Sequence, residues 1–301
     1  MRVLVTGGRG FIAGRLQDFL KKKRVNVLVS SRKKNSKNFQ NINWKSKANL
    51  KRLCKKADFV INCSGLDIHG SKSKSEALRV NSQYPLNLYE AANSSGVKLF
   101  IFISTYHVYK KKKILINEKT KIKKANFYSE SKIDGEKRLL NFKNKSTKLL
   151  IIRPCNLFGY PYFRNKNCWK LLINSIVKDF IEKNKFVIKS RENSFRNYSS
   201  MKSFCEFIFN ILSSYKNKSM YPKIVNYCSE KNLSIMQITK IVAKKMGIKK
   251  IKIIYDKKNF KNVKKTYYKS LFQKKFKSKK DIYFNDELKK LISYSKFFFN
   301  N

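Results

Sequence analysis

Short apolar runs alternate with amphipathic segments along the first half of the chain. Continuous runs of β-branched and other apolar residues predict buried strands, and they occupy residues 2–6, 25–29, 58–63, 97–104 and 148–153. Apolar residues at helical spacing predict helices between them, at residues 11–20, around residue 53, at 77–92 with a break or kink near Pro85, and at 128–142. This alternation predicts an α/β fold built on a doubly wound parallel sheet.

The rhythm loosens after Pro154. Helices are predicted at residues 171–180 and 233–246, the second ended by Gly247, and strands at 185–188 and 223–226. From Ile248 onward the chain is rich in Lys with scattered aromatic residues, and its pattern predicts no definite element. We therefore expect a large domain over residues 1–155 and a smaller mixed α/β region over 156–301, some of whose segments return to the main sheet.

Four of the ten glycines, Gly7, Gly8, Gly10 and Gly14, lie within eight positions directly after the first predicted strand. Glycine tolerates positive φ in a strand-to-helix turn, and a phosphate approaches a helix N-terminus closely only where no side chain projects. The segment GRGFIA, with Ala13 in its last place, fits the dinucleotide-binding fingerprint between a strand and a helix. The first domain is therefore predicted to be a Rossmann-type domain that binds NAD(P).

The residues after the second predicted strand indicate which dinucleotide binds. NAD sites usually have an acid there that holds the ribose 2′-hydroxyl, whereas residues 30–33 read Ser-Ser-Arg-Lys. Arg32, together with Arg9 in the glycine turn, is suited to pair with a 2′-phosphate. NADP(H) is therefore favoured as cofactor, with NAD(H) as the alternative. Contacts are expected from Gly7, Arg9, Gly10, Phe11, Ile12, Ser31 and Arg32.

The formal net charge of +52 at pH 7 admits two explanations. The excess is almost entirely Lys, spread over the whole length together with other amino acids of A/T-rich codons, which favours compositional drift and solvated faces. A basic surface also gains affinity for nucleic acid by releasing phosphate counterions, so nucleic-acid binding is disfavoured but not excluded. With 42% apolar and 14% aromatic residues, the chain has ample material for a core.

The six cysteines form no CxxC pair and no Cys/His cluster with zinc spacing, so we expect reduced thiols and no bound metal. The first predicted strand begins at Arg2, which leaves no room for a cleavable leader. No apolar run approaches the roughly 18 residues of a membrane span. These features together predict a cytoplasmic protein.

Six segments carry a resemblance to a known family: VTGGRGFIAG, ADFVINCSG, FISTYHVY, YSESK, RPCNLFG and VNYCSEKNLSIMQITKIVAKKMG. They resemble the extended short-chain dehydrogenase/reductases, the NAD(P)-dependent epimerase/dehydratase group that acts on nucleotide sugars. The resemblance covers about four fifths of the chain, from the first strand to Gly247. It implies a Rossmann-type sheet, a pyridine nucleotide cofactor, a nucleotide-linked sugar as substrate and, as is common in such enzymes, a homodimer.

The family signature Tyr-x-x-x-Lys occurs six times in this Tyr- and Lys-rich chain, so context has to select the match. Only Tyr128 opens an amphipathic helix between the strand that ends at Ser104 and the strand that ends at Arg153, where the family places its catalytic pair. Tyr128 and Lys132 are one helical turn apart on the same face. Because a nearby ammonium favours the phenolate and lowers the phenol pKa, Tyr128 is predicted to act as general acid/base.

The resemblance assigns roles to further residues. It implies that Lys132 holds the nicotinamide ribose, that Thr105 hydrogen-bonds the reacting oxygen and that Asn81 supports Lys132 through water. Ligand contacts are implied at four other positions: Ser64 at the cofactor, Asp58 near the adenine, Asn156 facing the substrate, and Arg196 at the nucleotide diphosphate.

Tyr106 and His107 stand where the family's dehydratases carry an Asp-Glu pair, so elimination of water is disfavoured. His107 is either a further acid for epimerisation next to a carbonyl or a packed or solvated His, and the second is favoured. The resemblance thus implies hydride transfer by a nucleotide-sugar epimerase or 4-ketoreductase, in surface-polysaccharide synthesis. The alternative is a non-catalytic dinucleotide-binding protein that binds RNA or a protein partner, and the intact set of Thr105, Tyr128 and Lys132 argues against it.

Overall fold

The computed structural model of the protein describes residues 1–32, 39–109, 115–143, 146–164, 166–188, 192–215, 222–255, 261–262, 265–276 and 281–300. Within them the strands, in chain order, are β1 (Arg2–Thr6), β2 (Asn26–Ser31), β3 (Gln40–Asn41), β4 (Phe59–Asn62), β5 (Leu99–Ile103), β6 (Leu115–Ile116), β7 (Lys148–Pro154), β8 (Asn156–Phe158), β9 (Phe186–Ile188), β10 (Glu192–Asn193), β11 (Phe195–Ser200), β12 (Ile224–Tyr227), β13 (Asn232–Ser234), β14 (Ile253–Tyr255), β15 (Lys261–Asn262) and β16 (Tyr267–Tyr268). The α-helices are α1 (Phe11–Lys22), α2 (Lys47–Cys54), α3 (Lys74–Leu78), α4 (Tyr84–Asn93), α5 (Phe127–Asn141), α6 (Leu172–Lys183), α7 (Met201–Ser213), α8 (Ile235–Lys245) and α9 (Phe284–Asn300).

Seven parallel strands form the main sheet, in the order β12-β7-β5-β4-β1-β2-β3. Val3 of β1 is in register with Val27 of β2 on one side and with Phe59 of β4 on the other. The chain runs outward from β1 to β2 and β3 and then returns to β4, so the strand order reverses between β1 and β4. Such a switch point opens a crevice at the carboxyl ends of the strands. The sheet confirms the predicted doubly wound, Rossmann-type α/β fold.

The alternation of side chains along each strand divides the core between the two faces of the sheet. Val3 and Val5 of β1 pack on the face that α1 and α7 cover, and Leu4 packs on the face that α2 and α4 cover. All three side chains are buried, and each such burial stabilises the fold by about 1.5–3 kcal/mol relative to exposure. Because helices cover both faces, the strands read as continuous apolar runs in the sequence.

Part of the chain beyond residue 155 belongs to the main sheet. Strand β12 pairs with β7, with Ile224 opposite Ile151, and α7 packs against α1. Strands β8, β11 and β13 form a smaller sheet, and helices α6, α8 and α9 surround a separate apolar cluster. The boundary between a cofactor domain and a substrate region stays a prediction.

A wide π-helical turn, Arg79–Gln83, joins α3 to α4, so the helix expected over residues 77–92 is interrupted just before the predicted position. Pro85 lies in the first turn of α4, where its missing N–H is tolerated. The carbonyl of Asn81 in the wide turn lies so close to α5 that a Cβ at Gly135 would come within 2.5 Å of it. This contact seats α5 directly on the wide turn.

The Lys-rich C-terminal part, for which the sequence pattern predicts no element, contains helix α9. Arg15 of α1 donates hydrogen bonds of 2.5 and 3.0 Å to Glu287 of α9, and one of 2.8 Å to the carbonyl of Tyr160. Glu287 is seated against Gly159, which has φ +145°, and a Cβ there would come within 2.2 Å of Glu287 Oε1. A buried ion pair thus fixes α9 to α1.

Candidate active site

Three glycines shape the turn between β1 and α1. Gly7 has φ +73°, and a Cβ on it would lie 3.0 Å from the backbone of Ser64. Gly8 donates its N–H to the Ser30 carbonyl at 3.0 Å, and a Cβ on it would lie 2.3 Å from a side chain of β2. Gly10 donates to the carbonyl of Gly7 at 2.7 Å. At Gly7 and Gly8 the turn therefore packs too closely on the end of β4 and on β2 to carry side chains.

A cleft of about 310 Å³ opens in front of this turn, at the carboxyl edge of β1, β2 and β4. Several residues expected at the cofactor line it, namely Gly7, Arg9, Gly10, Ser31, Arg32 and Ser64. The lining also includes residues that the sequence did not single out: Ile42, Trp44, Cys63, Gly65, Leu66, Val80 and Tyr84. The cleft occupies the switch point of the sheet, the position at which doubly wound folds bind ligands.

Three residues expected at the cofactor have other surroundings. The side chains of Phe11 and Ile12, at the start of α1, pack against the apolar core. Asp58 precedes β4 and accepts hydrogen bonds from the backbone N–H of Arg2 at 2.8 Å and from its guanidinium at 3.1 Å, and this pairing lowers the pKa of Asp58. Because Arg2 begins β1, Asp58 lies at the amino edge of the sheet, opposite the cleft. The expectation that it lies near the adenine is wrong.

The residues of the cleft fit a pyridine dinucleotide. The N-cap of helix α1 is Gly10, which offers no capping side chain, and the first turn has no acid, so the first N–H groups of the helix are left as donors for an anion. A Cβ on Gly65 would lie 2.7 Å from Asn81 Oδ1 and 3.2 Å from Lys132 Nζ. Backbone without side chains thus lines the cleft both at the helix terminus and beside Lys132, as a long ligand with a central diphosphate requires.

Trp44 and Tyr84 form an aromatic pair in the wall of the cleft. Their ring centroids are 5.3 Å apart and their planes differ by 6°, so the rings are stacked. Trp44 precedes α2 and Tyr84 begins α4, and the packing of these two helices holds the pair. A flat apolar wall suits a planar base. The only sign of it in the sequence is a Trp among polar residues.

Helix α5 brings Lys132 to the end of β5. The helix starts at Asn126, which forms a capping box with Ser129. The Lys132 ammonium donates to the carbonyl of Ile103 at 3.0 Å and lies 4.9 Å from the ring centre of Phe102. Burial lowers the pKa of Lys132 to about 8, because desolvation disfavours the charged form. Lys132 therefore remains largely charged at neutral pH, but its pKa lies only about one unit above that pH.

Tyr128 lies one turn before Lys132, and the Thr105 side chain lies close to its hydroxyl. Burial raises the pKa of Tyr128 to about 12, and the neighbouring Thr105 hydroxyl opposes this rise. The sequence predicts the opposite direction, a pKa lowered by Lys132. The structure does not show that lowering, because the ammonium is directed at Ile103 and burial outweighs the other influences. The phenol is protonated at neutral pH.

The two residues after Thr105 lie beside this pair. The Tyr106 hydroxyl donates to Asn156 Oδ1 at 2.8 Å, and Asn156 in turn donates to the carbonyl of Asn197 at 2.9 Å. The His107 ring centre is 4.3 Å from that of Tyr106 and 6.0 Å from that of Tyr128. Tyr106 is thus bound to a residue expected at the substrate, and His107 lies next to the expected acid/base.

Arg196 of β11 lies among three tyrosines. Its charge acts on the phenols of Tyr106, Tyr198 and Tyr268, and within the described residues it makes no salt bridge. The Tyr106 and Tyr268 rings are 5.7 Å apart, edge to face, and the Tyr198 hydroxyl is buried with no hydrogen-bond partner in the described part of the chain. A half-buried guanidinium without a carboxylate suits an anionic ligand. Tyr268 comes from the C-terminal part, whose pattern gives no hint of this position.

Asn81, in the wide turn before α4, connects the cleft to α5. Its side chain accepts from the N–H of Leu66 at 2.8 Å and donates to the carbonyl of Leu66 at 3.2 Å and to Ser131 Oγ at 3.0 Å. These bonds hold the loop that carries Gly65 against α5, next to Lys132. Support of Lys132 through water stays a prediction.

Among the described residues, no group of three or more His, Cys, Asp or Glu side chains is placed to hold a metal ion. Among the same residues, no helix combines the length and apolar character needed to cross a membrane. All six cysteines are free.

The fold and site define a class of protein, a Rossmann-type dinucleotide binder with a Tyr-x-x-x-Lys helix beside its cleft. Residues 3–227 match the model of the NAD dependent epimerase/dehydratase family. The chain therefore belongs to that family, whose members are enzymes of the extended short-chain dehydrogenase/reductase type.

Individual relatives fall within the same group. The chain is 24% identical over 249 residues to a GDP-6-deoxy-D-talose 4-dehydrogenase of Aggregatibacter actinomycetemcomitans. The alignment covers 80% of this chain and 79% of that protein. It superposes on a UDP-glucose 4-epimerase of Thermotoga maritima, solved with UDP-glucose, with a TM-score of 0.81 at 17% identity, covering 99% and 100% of the two chains. A UDP-glucuronic acid 4-epimerase of Bacillus cereus, solved with UDP-glucuronic acid and NAD, gives 0.81 at 21% identity, with 99% and 100% covered. At these identities the structural likeness shows the fold.

Proposed function

We propose that the protein is a nucleotide-sugar 4-epimerase or 4-ketoreductase that works through a bound pyridine nucleotide. The observation that carries the proposal is the placement of the Thr105 side chain beside the Tyr128 phenol. Lys132, at the dinucleotide cleft, lies one turn further along the same helix, and Arg196 lies close to Tyr106, the neighbour of Thr105. An acid/base, a cofactor site and an anion site are thus contiguous.

The chemistry divides between cofactor and chain. The pyridine nucleotide, when bound, supplies the hydride donor or acceptor. Tyr128 holds a proton at its hydroxyl at neutral pH, because its pKa is about 12, and it is therefore suited to protonate the oxygen of a keto sugar. Thr105 fixes the direction of that hydroxyl. This state favours the reductive step, which a ketoreductase performs once and an epimerase performs after oxidising the same carbon.

The cofactor is held by the glycine turn, by Lys132 at the nicotinamide ribose and by the aromatic pair Trp44 and Tyr84 at the base. The presence of Arg9 and Arg32 in the lining, with no carboxylate among the described residues that line the cleft, supports a preference for NADP(H). NAD(H) stays the alternative, and NAD is the cofactor in the B. cereus structure.

The substrate is a sugar linked to a nucleoside diphosphate. Its diphosphate is assigned to Arg196, where the surrounding phenols leave the positive charge without a counterion among the described residues, and the sugar is assigned to the space near Asn156 and Tyr106. The nucleotide stays open, because the relatives include enzymes named for GDP-linked and UDP-linked sugars. A homodimer and a role in surface-polysaccharide synthesis stay predictions.

The test is a panel of UDP-, GDP- and dTDP-linked sugars and their 4-keto forms. NADPH and NADH absorbance at fixed protein concentration reports reduction, and sugar NMR reports epimerisation without net change of cofactor. The Tyr128→Phe variant, which keeps the ring and loses the proton, is expected to lose turnover by about 10²-fold or more while retaining cofactor. No turnover with any sugar, together with RNA affinity that falls steeply with salt, would favour the non-catalytic alternative.

A further inference from the structure

Residues 103–105, at the end of β5, are each held by a different turn of α5. Tyr128 lies beside the Thr side chain, and Lys132 donates to the Ile carbonyl at 3.0 Å. Glu136, one turn further on, accepts from the Ser hydroxyl at 2.5 Å. The two residues assigned to catalysis thus share one helix face with a carboxylate that the proposed reaction does not use.

Glu136 is fixed from the other side by an ion pair. Arg153 of β7 donates to both its carboxylate oxygens, to Oε1 at 2.9 Å, and the two side chains are 3% and 4% exposed. Arg153 also donates to the Tyr109 hydroxyl at 2.9 Å, which donates to Asn226 at 2.6 Å. The carboxylate is therefore held between Ser104 and Arg153, one helical turn from Lys132.

The charge of Lys132 depends on few groups. Cys63, at the end of β4, and Glu136 are the titratable groups whose charge acts on its ammonium. Burial raises the pKa of Cys63 to about 12, so this thiol is neutral over the physiological range. Glu136 is then the source of the negative charge that offsets part of the desolvation of Lys132.

We propose that Glu136 is a positioning residue for the reaction, which keeps Lys132 charged and holds the end of β5 against α5. The effect of Glu136 on turnover rests on the function proposed above, in which Lys132 takes part. The effect of Glu136 on the charge of Lys132 is a property of the protein without ligand and does not depend on that function. Arg153 fixes the carboxylate in place, and neither residue is among those described above as lining the cleft.

The chain contains a matched control for this pair. Arg15 and Glu287 form another buried Arg–Glu pair with two hydrogen bonds between them, and their side chains are 7% and 1% exposed. Neither acts on the charge of Lys132. Neutralising that pair removes the same two charges from the interior without changing the surroundings of α5.

The experiment follows the Lys132 side chain by NMR of protein labelled with ¹³C at lysine Cε, with Lys132→Met to assign its signal. The wild-type signal is expected to titrate near pH 8, apart from the exposed lysines. In Glu136→Gln with Arg153→Gln, which leaves no unpaired charge, the midpoint is expected to fall by roughly half to one pH unit, because the loss of the Arg153 charge offsets part of the loss of the carboxylate. In Arg15→Gln with Glu287→Gln it is expected to stay in place.

A folded Glu136→Gln/Arg153→Gln protein with an unmoved Lys132 midpoint overturns the proposal. Should that variant not fold, Glu136→Asp is measured in the same way. The Asp side chain still pairs with Arg153, but it is one methylene shorter, so its charge lies further from Lys132. A smaller downward shift of the Lys132 midpoint is therefore expected, and no shift overturns the proposal. Where a nucleotide sugar is turned over, the alkaline limb of kcat should move with the NMR midpoint. If no sugar is turned over, the proposed function fails and the NMR result still decides on Glu136.

Discussion

Thr105 at the end of β5 lies beside Tyr128 at the start of α5, and its side chain opposes the rise in pKa that burial imposes on the phenol. In the proposed reaction Thr105 orients the Tyr128 hydroxyl, the group that would transfer the proton.

Thr105→Val, which replaces the hydroxyl by a methyl group, is expected to lower kcat by about 10²–10³-fold, because the phenol loses its orienting partner and its pKa rises further. Thr105→Ser keeps the hydroxyl and should stay within about tenfold of the wild type. Both are measured with the best sugar of the panel, and cofactor affinity is measured in parallel. A Val variant as fast as the Ser variant contradicts the role given to Thr105.

Lys132 should produce opposite trends in activity and stability as pH rises. Burial holds its pKa at about 8, below the 10.5 of an exposed lysine. Above pH 8 the folded protein loses the ammonium, so kcat is expected to fall along an alkaline limb near that value. Between pH 8 and 10.5 the unfolded chain binds the extra proton, so the contribution of Lys132 to the free energy of unfolding increases with pH.

The Lys132→Met variant separates these two effects. At pH 7 it is expected to be inactive but more stable than the wild type, by at most about 3 kcal/mol, because no charge has to be buried. The difference in free energy of unfolding should shrink toward pH 10.5. Denaturant titrations at pH 7, 8.5 and 10 measure it, and Lys137→Met, an exposed lysine on the same helix, controls for the loss of one charge. A difference that does not depend on pH argues against a lowered pKa at Lys132.

Local patterns carry the parts of the fold that the sequence predicts well. Strands buried on both faces appear in the sequence as apolar runs. The turn after β1 has no room for Cβ atoms at positions 7 and 8, so both positions require glycine. Tyr128 is found among six matches to its motif because the order of strands around it fixes where α5 lies. These features depend on residues that are close in the sequence or on the order of the strands. They can therefore be predicted from the amino-acid sequence alone.

Other parts of the site depend on contacts between distant segments. Arg15 and Glu287 are 272 positions apart, and the charge-poor setting of Arg196 needs Tyr268 from the C-terminal part. Asp58 shows the converse, because a family resemblance places it near the adenine while its bonds to Arg2 hold it at the other edge of the sheet. The direction of a pKa shift likewise follows from burial, which only the folded structure gives.

Arg32→Ala is expected to weaken NADP(H) binding by about 10-fold or more and to leave NAD(H) binding within about twofold, because Arg32 lines the cleft where a 2′-phosphate would lie. Quenching of Trp44 fluorescence, in a Trp169→Phe background, measures both affinities without turnover. Arg52→Ala, at an exposed position of α2, controls for the loss of one charge. Equal loss for both dinucleotides, or none for either, removes the argument for NADP(H).

Glu287→Gln is expected to destabilise the protein by about 3–5 kcal/mol, because it leaves the buried guanidinium of Arg15 without its counter-charge. Arg15→Met together with Glu287→Gln should recover much of this loss, since no unpaired charge remains. Denaturant unfolding of the three proteins measures the difference. If the single variant is as stable as the double, the ion pair does not hold α9 to α1.

Arg196→Met is expected to raise KM for the nucleotide sugar by roughly 10- to 100-fold with a smaller effect on kcat, because in our proposal the guanidinium binds the diphosphate, which does not react. The affinity for the free nucleoside diphosphate, measured by calorimetry, should weaken by the same factor. Lys231→Met is the control, since it removes one positive charge from the loop that leads into β13, the strand paired with β11. If both variants weaken binding equally, the general positive field of the chain, and not the site among Tyr106, Tyr198 and Tyr268, attracts the substrate.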